Sequence, residues 1–436
     1  MPEQFDPRKM ISPPWRKCPS CGKDKFGVHL ISGSELMRRC RDCLYKQFYR
    51  LPELRKRIIY LDQFVVSNLM KLDNSEIKGH ERVVAEPFWA ELRDLLSQLR
   101  QLQMICCPNS GSHEEESRIW QYNAELKKAY ESLSSGIRFE SFDSIKSQQI
   151  GELTRAFTEA REPRFDFNPR RVLSRNPNEW NERYYITFGD NPFIVPAELK
   201  LQRTELHAHI AGLFRDVWAK EKRDFQYWYD HERSSYQGHL CSAVKKSRRE
   251  RFGAMLAYRP GAEISLPDIG KTLSSFAESL LYSLEHIIRF PRNGGERSQE
   301  ERNRLEAEFG KANRIAEAPF VRLQSLMFAA IAMRAAQGQK APPDEGTTTD
   351  IETVAHLLPY CDAMFMDKGC LSLLLDVPKN LRPPETAKVF SLNLKAQFLN
   401  YLRSIRDGIT AEHVAAIREV YGDDHLEGVP CAQDKR

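Results

Sequence analysis

Residues 57–67 read RIIYLDQFVVS, an apolar run that ends abruptly in Asp62. The run from Ile58 to Leu61 is built of β-branched and aromatic residues together with a leucine, and such runs favour a buried strand. Residues 63–72 then have the pattern of a helix. A strand followed at once by a helix is one unit of a parallel α/β sheet, so we predict that Asp62 lies at the carboxyl end of a buried strand.

Three further strand–helix units follow the same pattern. The predicted strands are the apolar runs at 104–108, 363–366 and 387–391. The predicted helices cover 86–103, a segment that begins near His113, 321–336, 350–358, 369–375 and 394–404. Two units precede residue 120 and two follow residue 350, which indicates one parallel sheet that is split by an insertion.

We therefore predict an α/β fold in which a parallel sheet flanked by helices is interrupted by a large, mostly helical insertion. The insertion covers 120–325, is polar and rich in Arg, Glu and aromatic residues, and offers a surface for a protein partner. The remaining predicted units are a small cysteine-bearing module at 1–50, the two parts of the sheet domain at 57–119 and 326–408, and a C-terminal helix and tail at 409–436.

Acidic residues at strand ends and helix starts give the first functional signal. Asp62 and Asp367 each end a predicted strand, and Asp350 is predicted to open a helix. In an open α/β sheet, sites form at the carboxyl edge of the strands. Acids that converge there repel each other unless a cation neutralises them, and hard ions such as Mg2+ prefer oxygen ligands. The alternative is that each aspartate only caps the helix that follows it.

Three stretches resemble the motifs of PIN-like nucleases. Residues 57–67 resemble the opening motif of that family, which is a strand, an Asp and a helix with a nearby Ser. Residues 350–367 (DIETVAHLLPYCDAMFMD) resemble its closing pair of acids, and residues 105–116 (ICCPNSGSHEEE) resemble its middle motif. The resemblance implies a PIN-like parallel sheet and a metal-dependent endonuclease that usually acts on RNA.

Carried over by position, the resemblance also implies a catalytic Mg2+ or Mn2+ ion and its ligands. The implied ligands are Asp62, Glu116, Asp350 and Asp367. Glu114 and Glu115 adjoin Glu116 in the sequence and stay open as alternatives to it.

Three more residues have supporting roles in this interpretation. Ser67 would position water or a phosphate, and Lys368 would contact the scissile phosphate because it adjoins the last acid. His113 would share a helix face with Glu116, three residues further on.

Four cysteines near the N-terminus predict a second metal site. Cys18 and Cys21 form one C-x2-C pair, and Cys40 and Cys43 form another. This spacing is typical of a structural zinc site, because each tight turn directs two thiolates at one ion. Gly22 lets the chain turn back under the metal. The segment between the two pairs reads as a short hairpin, and the whole resembles a zinc ribbon.

The charge of the chain is concentrated in the same region. The 436 residues have a net charge of +5, yet residues 1–57 alone hold 14 Lys and Arg against 6 Asp and Glu. Cations interleaved with aromatic residues indicate nucleic-acid binding, and the resemblance to PIN-like nucleases implies RNA rather than DNA. The candidate contacts are Arg16, Lys17, Lys23, Lys25, Arg38, Arg39 and Arg41. A purely structural role for the zinc module, or a role in protein docking, stays open.

Several other functional classes are disfavoured. The sequence has no apolar run of 18 residues for a membrane span and no apolar core of a signal peptide near its start. The ten cysteines are therefore expected as thiols or metal ligands in a reducing compartment, the cytoplasm.

Two alternative functions remain from the sequence. Phe64 and Met366 depart from the PIN-like pattern, and such departures suit a non-catalytic adaptor in a nucleoprotein complex. Arg203 and His209 share a predicted helix with a spacing that resembles the helical HEPN-type ribonucleases. A nuclease with a large insertion would also suit bacterial antiviral defence or a toxin-like role.

Overall fold

The computed structural model describes residues 6–181, 196–257, 276–292, 294–382 and 387–429. Within these ranges, the side chains at 119, 196–200, 202–203, 243–248, 250–257, 276–279 and 281–282 lie outside the description. The Arg-rich stretch at 243–251 falls mostly among them. None of the helices in the described part of the chain is both long enough and apolar enough to cross a lipid bilayer.

The N-terminal module is a four-stranded antiparallel sheet. Its strands are β1 (Ser12–Arg16), β2 (Phe26–Ser32), β3 (Glu35–Cys40) and β4 (Lys46–Arg50), in that spatial order. The predicted hairpin between the cysteine pairs is formed by β2 and β3, and Gly33 with φ of +59° lies in its turn. Strand β4 pairs along β3, so the residues that follow the second cysteine pair belong to the same sheet.

The central sheet is parallel and four-stranded, as predicted. It contains β5 (Arg57–Leu61), β6 (Ile105–Cys106), β7 (Ala363–Phe365) and β8 (Lys388–Phe390) in the spatial order β6-β5-β7-β8. The two strands at the centre of the sheet, β5 and β7, come from the two widely separated parts of the sequence. The split of one sheet by a long insertion is therefore confirmed.

The described residues also contain fifteen α-helices. In chain order they are α1 (Gln63–Leu72), α2 (His80–Val84), α3 (Pro87–Gln101), α4 (Gly111–Ile119), α5 (Asn123–Ser134), α6 (Phe142–Thr158), α7 (Pro196–Leu213), α8 (Phe225–Ala257), α9 (Phe276–Arg289), α10 (Gln299–Lys311), α11 (Pro319–Ala336), α12 (Glu345–Leu357), α13 (Lys368–Asp376), α14 (Lys395–Asp407) and α15 (Ala411–Tyr421). A π-helical turn at Phe214–Trp218 continues α7.

Helices cover both faces of the parallel sheet. Side chains alternate along a strand, so Ile59 and Leu61 of β5 pack on one face, in a core that includes buried residues of α1, α3 and α14. Ile58 and Tyr60 pack on the other face with α11 and α12. Buried side chains from 120–325, among them Trp218, belong to that second core. The helical insertion thus contributes to the layer that covers the sheet.

Helix α12 begins earlier than the sequence indicated. Asp350 was predicted to open this helix, and the prediction is wrong, because Asp344 is the capping residue. The Oδ1 atom of Asp344 accepts a hydrogen bond of 2.9 Å from the Thr347 N–H. Asp350 consequently lies in the second turn of the helix and has no capping role at its N-terminus.

Helix α15 joins the N-terminal module to the rest of the molecule. Val414, Ile417 and Val420 of this helix are buried in a core with Val28 and Leu36 of the module. The side chain of Trp180 lies in the same core, and its Nε1 donates a hydrogen bond to the Pro52 carbonyl at 3.0 Å. The module is therefore packed against the body of the protein along one face of its sheet.

Candidate metal centres

Three aspartates from distant parts of the sequence meet at the carboxyl edge of the parallel sheet. Asp62 directly follows β5, and Asp367 is the second residue after β7. Asp350 projects from α12. One carboxylate oxygen of each lies within 4.8 Å of those of the other two, so this group could hold a metal ion. The convergence that parallel strand ends predict is present here.

Two of these aspartates are also helix caps. The Asp62 carboxylate accepts a 2.5 Å hydrogen bond from the Gln63 N–H at the start of α1, and Asp367 Oδ1 accepts one of 2.8 Å from the Cys370 N–H in α13. The Asp62 backbone N–H donates to the Phe365 carbonyl at 3.0 Å, which joins the two strand ends. Asp62 and Asp367 therefore each cap the helix that follows them. These hydrogen bonds fix the positions of their carboxylates.

Asp350 has no such structural role. It is a half-buried helical residue whose carboxyl group is hydrogen-bonded to Asp367. Burial, the charge of Asp62 and the neighbouring Asp367 together raise the pKa of Asp350 to about 10. An isolated buried carboxylate is costly, so this side chain is explained most simply by a cation that balances its charge.

Asp62 is perturbed in the same direction. Burial raises the pKa of Asp62 to about 7, and the charges of Glu116 and Asp367 contribute to the shift. Without a cation, the cluster thus retains protons that ordinary aspartates lose near pH 4. A divalent ion would displace these protons on binding.

Two of the three consecutive glutamates of α4 are distinguished by their surroundings. Glu114 lies 3.8 Å from Arg138. Glu116 acts electrostatically on both Asp62 and Asp350. It lies outside the group of three aspartates within 4.8 Å, so the structure brings its charge near the site without making it a member of that group.

A buried polar network that sequence reasoning did not identify lies beside the acids. The Tyr60 hydroxyl is hydrogen-bonded to Ser110 and Ser112, whose Oγ atoms are 2.9 Å apart. Thr353 Oγ1 donates to Ser112 Oγ at 3.4 Å, which connects the network to α12 one turn from Asp350. Burial raises the pKa of Tyr60 well above its ordinary value, with smaller contributions from Asp62 and Glu116. In the sequence, this network could have been inferred only from the polar residues around the turn at Ser110.

His113 belongs to the core beneath this network. Its ring is stacked between those of Tyr60 and Tyr130, with centroid distances of 4.9 and 4.6 Å. Its Nδ1 lies 3.2 Å from Asn109 Oδ1, and burial lowers the pKa of His113 to about 3. The ring is therefore a neutral packing element that supports Tyr60.

The other supporting residues lie at the helix starts near the acids. Lys368 is exposed and is the first residue of α13, directly after Asp367. Gly369 follows it, and a Cβ atom there would approach Asp367 Oδ1 to 3.1 Å. Ser67 is half-buried on α1, one turn beyond Asp62.

The four predicted cysteine ligands form a second cluster. The Sγ atoms of Cys18 and Cys43 are 3.6 Å apart, those of Cys21 and Cys40 are 3.7 Å apart, and all four lie within 4.8 Å of one another. They could hold a metal ion. In the described part of the chain every cysteine is a free thiol.

The two cysteine turns have the same backbone conformation. The Gly22 N–H donates to the Cys18 carbonyl at 2.9 Å, and the Leu44 N–H donates to the Cys40 carbonyl at 3.1 Å. Both residues have positive φ, +73° for Gly22 and +59° for Leu44. The second turn therefore carries a leucine at a position that favours glycine.

The candidate nucleic-acid contacts of the module differ widely in exposure. Arg38 was predicted as a contact, and this is wrong, because its side chain is fully buried and paired with Glu419. Arg16 also pairs with Glu419, and Lys23 and Lys25 both pair with Asp42, although these three cations stay exposed. The remaining candidates are Lys17 and Arg41, which are exposed, and Arg39, which is half-buried.

The structure tests the HEPN-type alternative only in part. His209 is exposed on α7, whereas the side chain of Arg203 lies outside the described residues.

No protein-family model matches this chain, and no curated protein or solved structure matches it at significant similarity. Its function is therefore inferred from the two clusters themselves.

Proposed function

We propose that this protein is a metal-dependent nuclease that hydrolyses phosphodiester bonds of nucleic acid, with RNA favoured as the substrate. The observation that carries the proposal is Asp350, a half-buried helical carboxylate that caps nothing and lies against Asp62 and Asp367. A binding protein would gain nothing from this costly arrangement. RNA is preferred over DNA on the resemblance to PIN-like nucleases, which also underlies the assignment of a PIN-like fold.

The residues present fit a hard divalent ion, Mg2+ or Mn2+. Oxygen ligands are what such ions prefer, and three carboxylates from three separate elements converge within 4.8 Å. Asp62, Asp350 and Asp367 would hold the ion, with Glu116 as the fourth acid. When bound, the ion would supply Lewis-acid activation of the attacking water and of the scissile phosphate.

The surrounding residues would prepare the site for this chemistry. The backbone N–H groups of Gln63 and Cys370 fix the carboxylates of Asp62 and Asp367, so little reorganisation is needed on binding. Lys368 is exposed beside Asp367, where its ammonium group would pair with a substrate phosphate.

Zinc is the metal that we assign to the cysteine cluster. A tetrahedral site with Zn–S distances near 2.3 Å requires sulfur atoms about 3.8 Å apart. The observed separations of 3.6 and 3.7 Å fit that requirement. Four thiolates leave no open position for a substrate, so the role of this ion is structural. Free thiols also suit a reducing compartment, and we assign the protein to the cytoplasm.

Cleavage assays test the proposal directly. Purified protein is incubated with labelled single-stranded RNA and DNA in the presence of Mg2+, Mn2+ or EDTA, and zinc content is measured in parallel. We expect cleavage that requires the added ion, disappears in Asp350→Asn and persists in Asp344→Asn. Asp344 is the matched control because it caps the same helix and Asn is an equally good cap.

Three outcomes would contradict the proposal. Cleavage that survives EDTA and Asp350→Asn would exclude the aspartate cluster as the active site. Cleavage that His209→Ala abolishes while Asp350→Asn does not would favour the helical ribonuclease reading. Binding without any cleavage would favour an adaptor.

A further inference from the structure

One face of the sheet in the N-terminal module is open to solvent. The opposite face is packed against α15, where Leu36 and Arg38 of β3 are buried. Side chains alternate along a strand, so Met37 and Arg39 of the same strand project from the other side. We call this second side the open face.

An apolar row crosses three strands of the open face. Met37 of β3 lies opposite Leu30 of β2 on one side and opposite Phe48 of β4 on the other. Leu30 is 50% exposed and Phe48 is 55% exposed. Phe48 therefore presents most of its ring to water on an edge strand, a position that packing within the chain does not explain.

A second row on the open face combines an aromatic ring with cations. Arg39 lies opposite Lys46 of β4 and Gly27 of β2. The Trp15 ring covers Gly27, where an added Cβ would come within 2.5 Å of it. The Arg41 guanidinium lies 5.4 Å from the centroid of that ring, whose residue is 37% exposed.

The cations of the open face differ from the other cations of the module. Lys46 and Arg50 on β4 form no ion pair with any residue that the structure describes, although Glu35 lies opposite Arg50 in the register. By contrast, Lys23 and Lys25 near the cysteine cluster share Asp42. The open face thus carries three cations, Arg39, Lys46 and Arg50, against one acid, Glu35.

The N-terminal module also has more exposed large apolar side chains than its length would predict. Eleven large apolar side chains are exposed among the described residues, and four of them belong to the module of about 40 residues. These four are Trp15, Leu30, Tyr45 and Phe48. Single exposed apolar residues need no explanation, but a cluster marks an interaction surface.

We propose that the open face binds single-stranded nucleic acid, with bases stacked on Trp15 and Phe48 and phosphates paired with Arg39, Lys46 and Arg50. Aromatic platforms interleaved with cations are what a single strand requires, because every base has a π-face and every linkage is an anion. A duplex would keep its bases stacked on each other and would not use the rings. Lysine is depleted at the core of protein interfaces, and the choice of nucleic acid over a protein partner otherwise rests on the proposed function.

Binding measurements with the full chain test the role of the Phe48 ring. Fluorescence anisotropy of a labelled single-stranded RNA is recorded in an Asp350→Asn background, so that cleavage does not interfere. We expect Phe48→Tyr to bind like the parent, and Phe48→Leu and Phe48→Ala to bind about tenfold more weakly because the stacking surface is lost. Leucine keeps the site apolar, so an apolar protein-docking surface would tolerate it.

A matched control exists in the insertion. Phe290 is also an exposed phenylalanine with an arginine near its ring, since Arg289 lies 5.1 Å from the centroid. Phe290→Leu should leave RNA binding unchanged. Melting temperatures of all variants exclude loss of folding as the cause of weaker binding.

The cations are tested through the salt dependence of binding. Arg39→Gln and Lys46→Gln should each lower the slope of log affinity against log salt by about 0.7, the value for one phosphate contact on a single strand. Lys23→Gln serves as the control, because its partner Asp42 lies within the module.

The results distinguish this inference from the proposed function. If Phe48→Leu binds RNA like the parent, or if duplex binds as tightly as single strand, the open face is not the binding surface, whether or not the protein cleaves. If wild-type protein binds RNA in a Phe48-dependent way but never cleaves it, the nuclease proposal fails and the open-face inference stands.

Discussion

The guanidinium of Arg38 and the carboxylate of Glu419 form a buried polar link between the N-terminal module and α15. Arg38 is fully buried, and its Nε donates to Glu419 Oε1 at 3.0 Å. Its Nη2 donates to the Glu419 carbonyl at 2.6 Å, and its Nη1 donates to the carbonyl of Pro14 at 2.7 Å. A residue that composition alone groups with the surface cations is therefore part of an internal interface.

The first prediction concerns this ion pair. Glu419→Ala should lower the free energy of unfolding by about 3 kcal/mol, because it leaves the buried Arg38 charge without its carboxylate. Glu412→Ala on the exposed side of the same helix should change it by less than about 0.5 kcal/mol. Urea denaturation measures both. Equal effects of the two substitutions would show that the pair is not needed to hold the module.

The second prediction compares the two cysteine turns. Leu44→Gly should stabilise the module by about 1 kcal/mol, because a leucine at φ of +59° carries the steric cost of the left-handed region and glycine does not. Gly22→Ala should destabilise it by a similar amount for the reciprocal reason. Thermal unfolding with zinc bound measures the changes. Opposite signs are expected, and the same sign for both would contradict the backbone argument.

The third prediction concerns the cost of the aspartate cluster. Asp350→Asn should stabilise the protein at neutral pH by about 1–2 kcal/mol when no Mg2+ or Mn2+ is present, because the folded wild type must keep on Asp350 a proton that the unfolded chain has released, whereas Asn needs none. Added Mn2+ at 100 times its Kd should stabilise the wild type by about 2.7 kcal/mol and Asp350→Asn far less. Differential scanning calorimetry measures both, with Asp344→Asn as the control that should behave like wild type.

The fourth prediction follows from the sign of the Asp62 shift. The pKa of Asp62 is raised to about 7 in the folded protein by burial and by the charges of Glu116 and Asp367, whereas an unfolded aspartate titrates near 3.9. The folded state therefore holds its proton more tightly, and stability is lost as pH rises from about 4 to about 7.

Between pH 5 and 7, the ion-free wild type should thus lose about 1–2 kcal/mol more stability than Asp62→Asn. Unfolding by urea at a series of pH values measures the difference. Parallel pH profiles for the two proteins would mean that Asp62 is ionised normally in the absence of a cation.

The fifth prediction uses two glycines in equivalent positions. Gly369 and Gly346 each lie two residues after a capping aspartate, but an added Cβ would be 3.1 Å from Asp367 Oδ1 and 3.7 Å from Asp344 Oδ1. Gly369→Ala should displace the Asp367 carboxylate by a few tenths of an ångström and weaken Mn2+ binding severalfold. Gly346→Ala should leave binding unchanged and stabilise α12 by up to about 1 kcal/mol. Calorimetric titration with Mn2+ tests the pair, and equal affinities would show that the contact is relieved elsewhere.

The sequence predicted the sheet because its signals are local. Each strand is a short apolar run and each is followed by an amphipathic helix, so four parallel strands and the ends marked by Asp62 and Asp367 could be read directly. Asp350 was recognised, but its position in the helix was misjudged, because three threonines before an Asp look like a cap. Asp344, after two prolines, fills that role.

The remaining features depend on contacts that sequence patterns do not encode. The hydrogen bonds among Tyr60, Ser110, Ser112 and Thr353 join three separate elements. Arg38 could have been separated from Arg39 by strand alternation, because it has the same parity as the buried residues Leu36 and Cys40. That inference requires β3 to be recognised as a strand with one covered face. The helix that covers it, α15, lies nearly 400 residues further along the chain, as the positions of the bonded residues Arg38 and Glu419 show.

The division of the parallel sheet between two distant segments has a consequence for the protein during its synthesis. Asp62 and the strand that carries it leave the ribosome about 300 residues before Asp350 and Asp367, an interval of roughly 15–60 s at ordinary elongation rates. Throughout that interval, β5 lacks its neighbour β7 and the cluster lacks two of its three aspartates. A nascent or prematurely terminated chain therefore cannot assemble the proposed active site. We expect nuclease activity to appear only once translation is nearly finished.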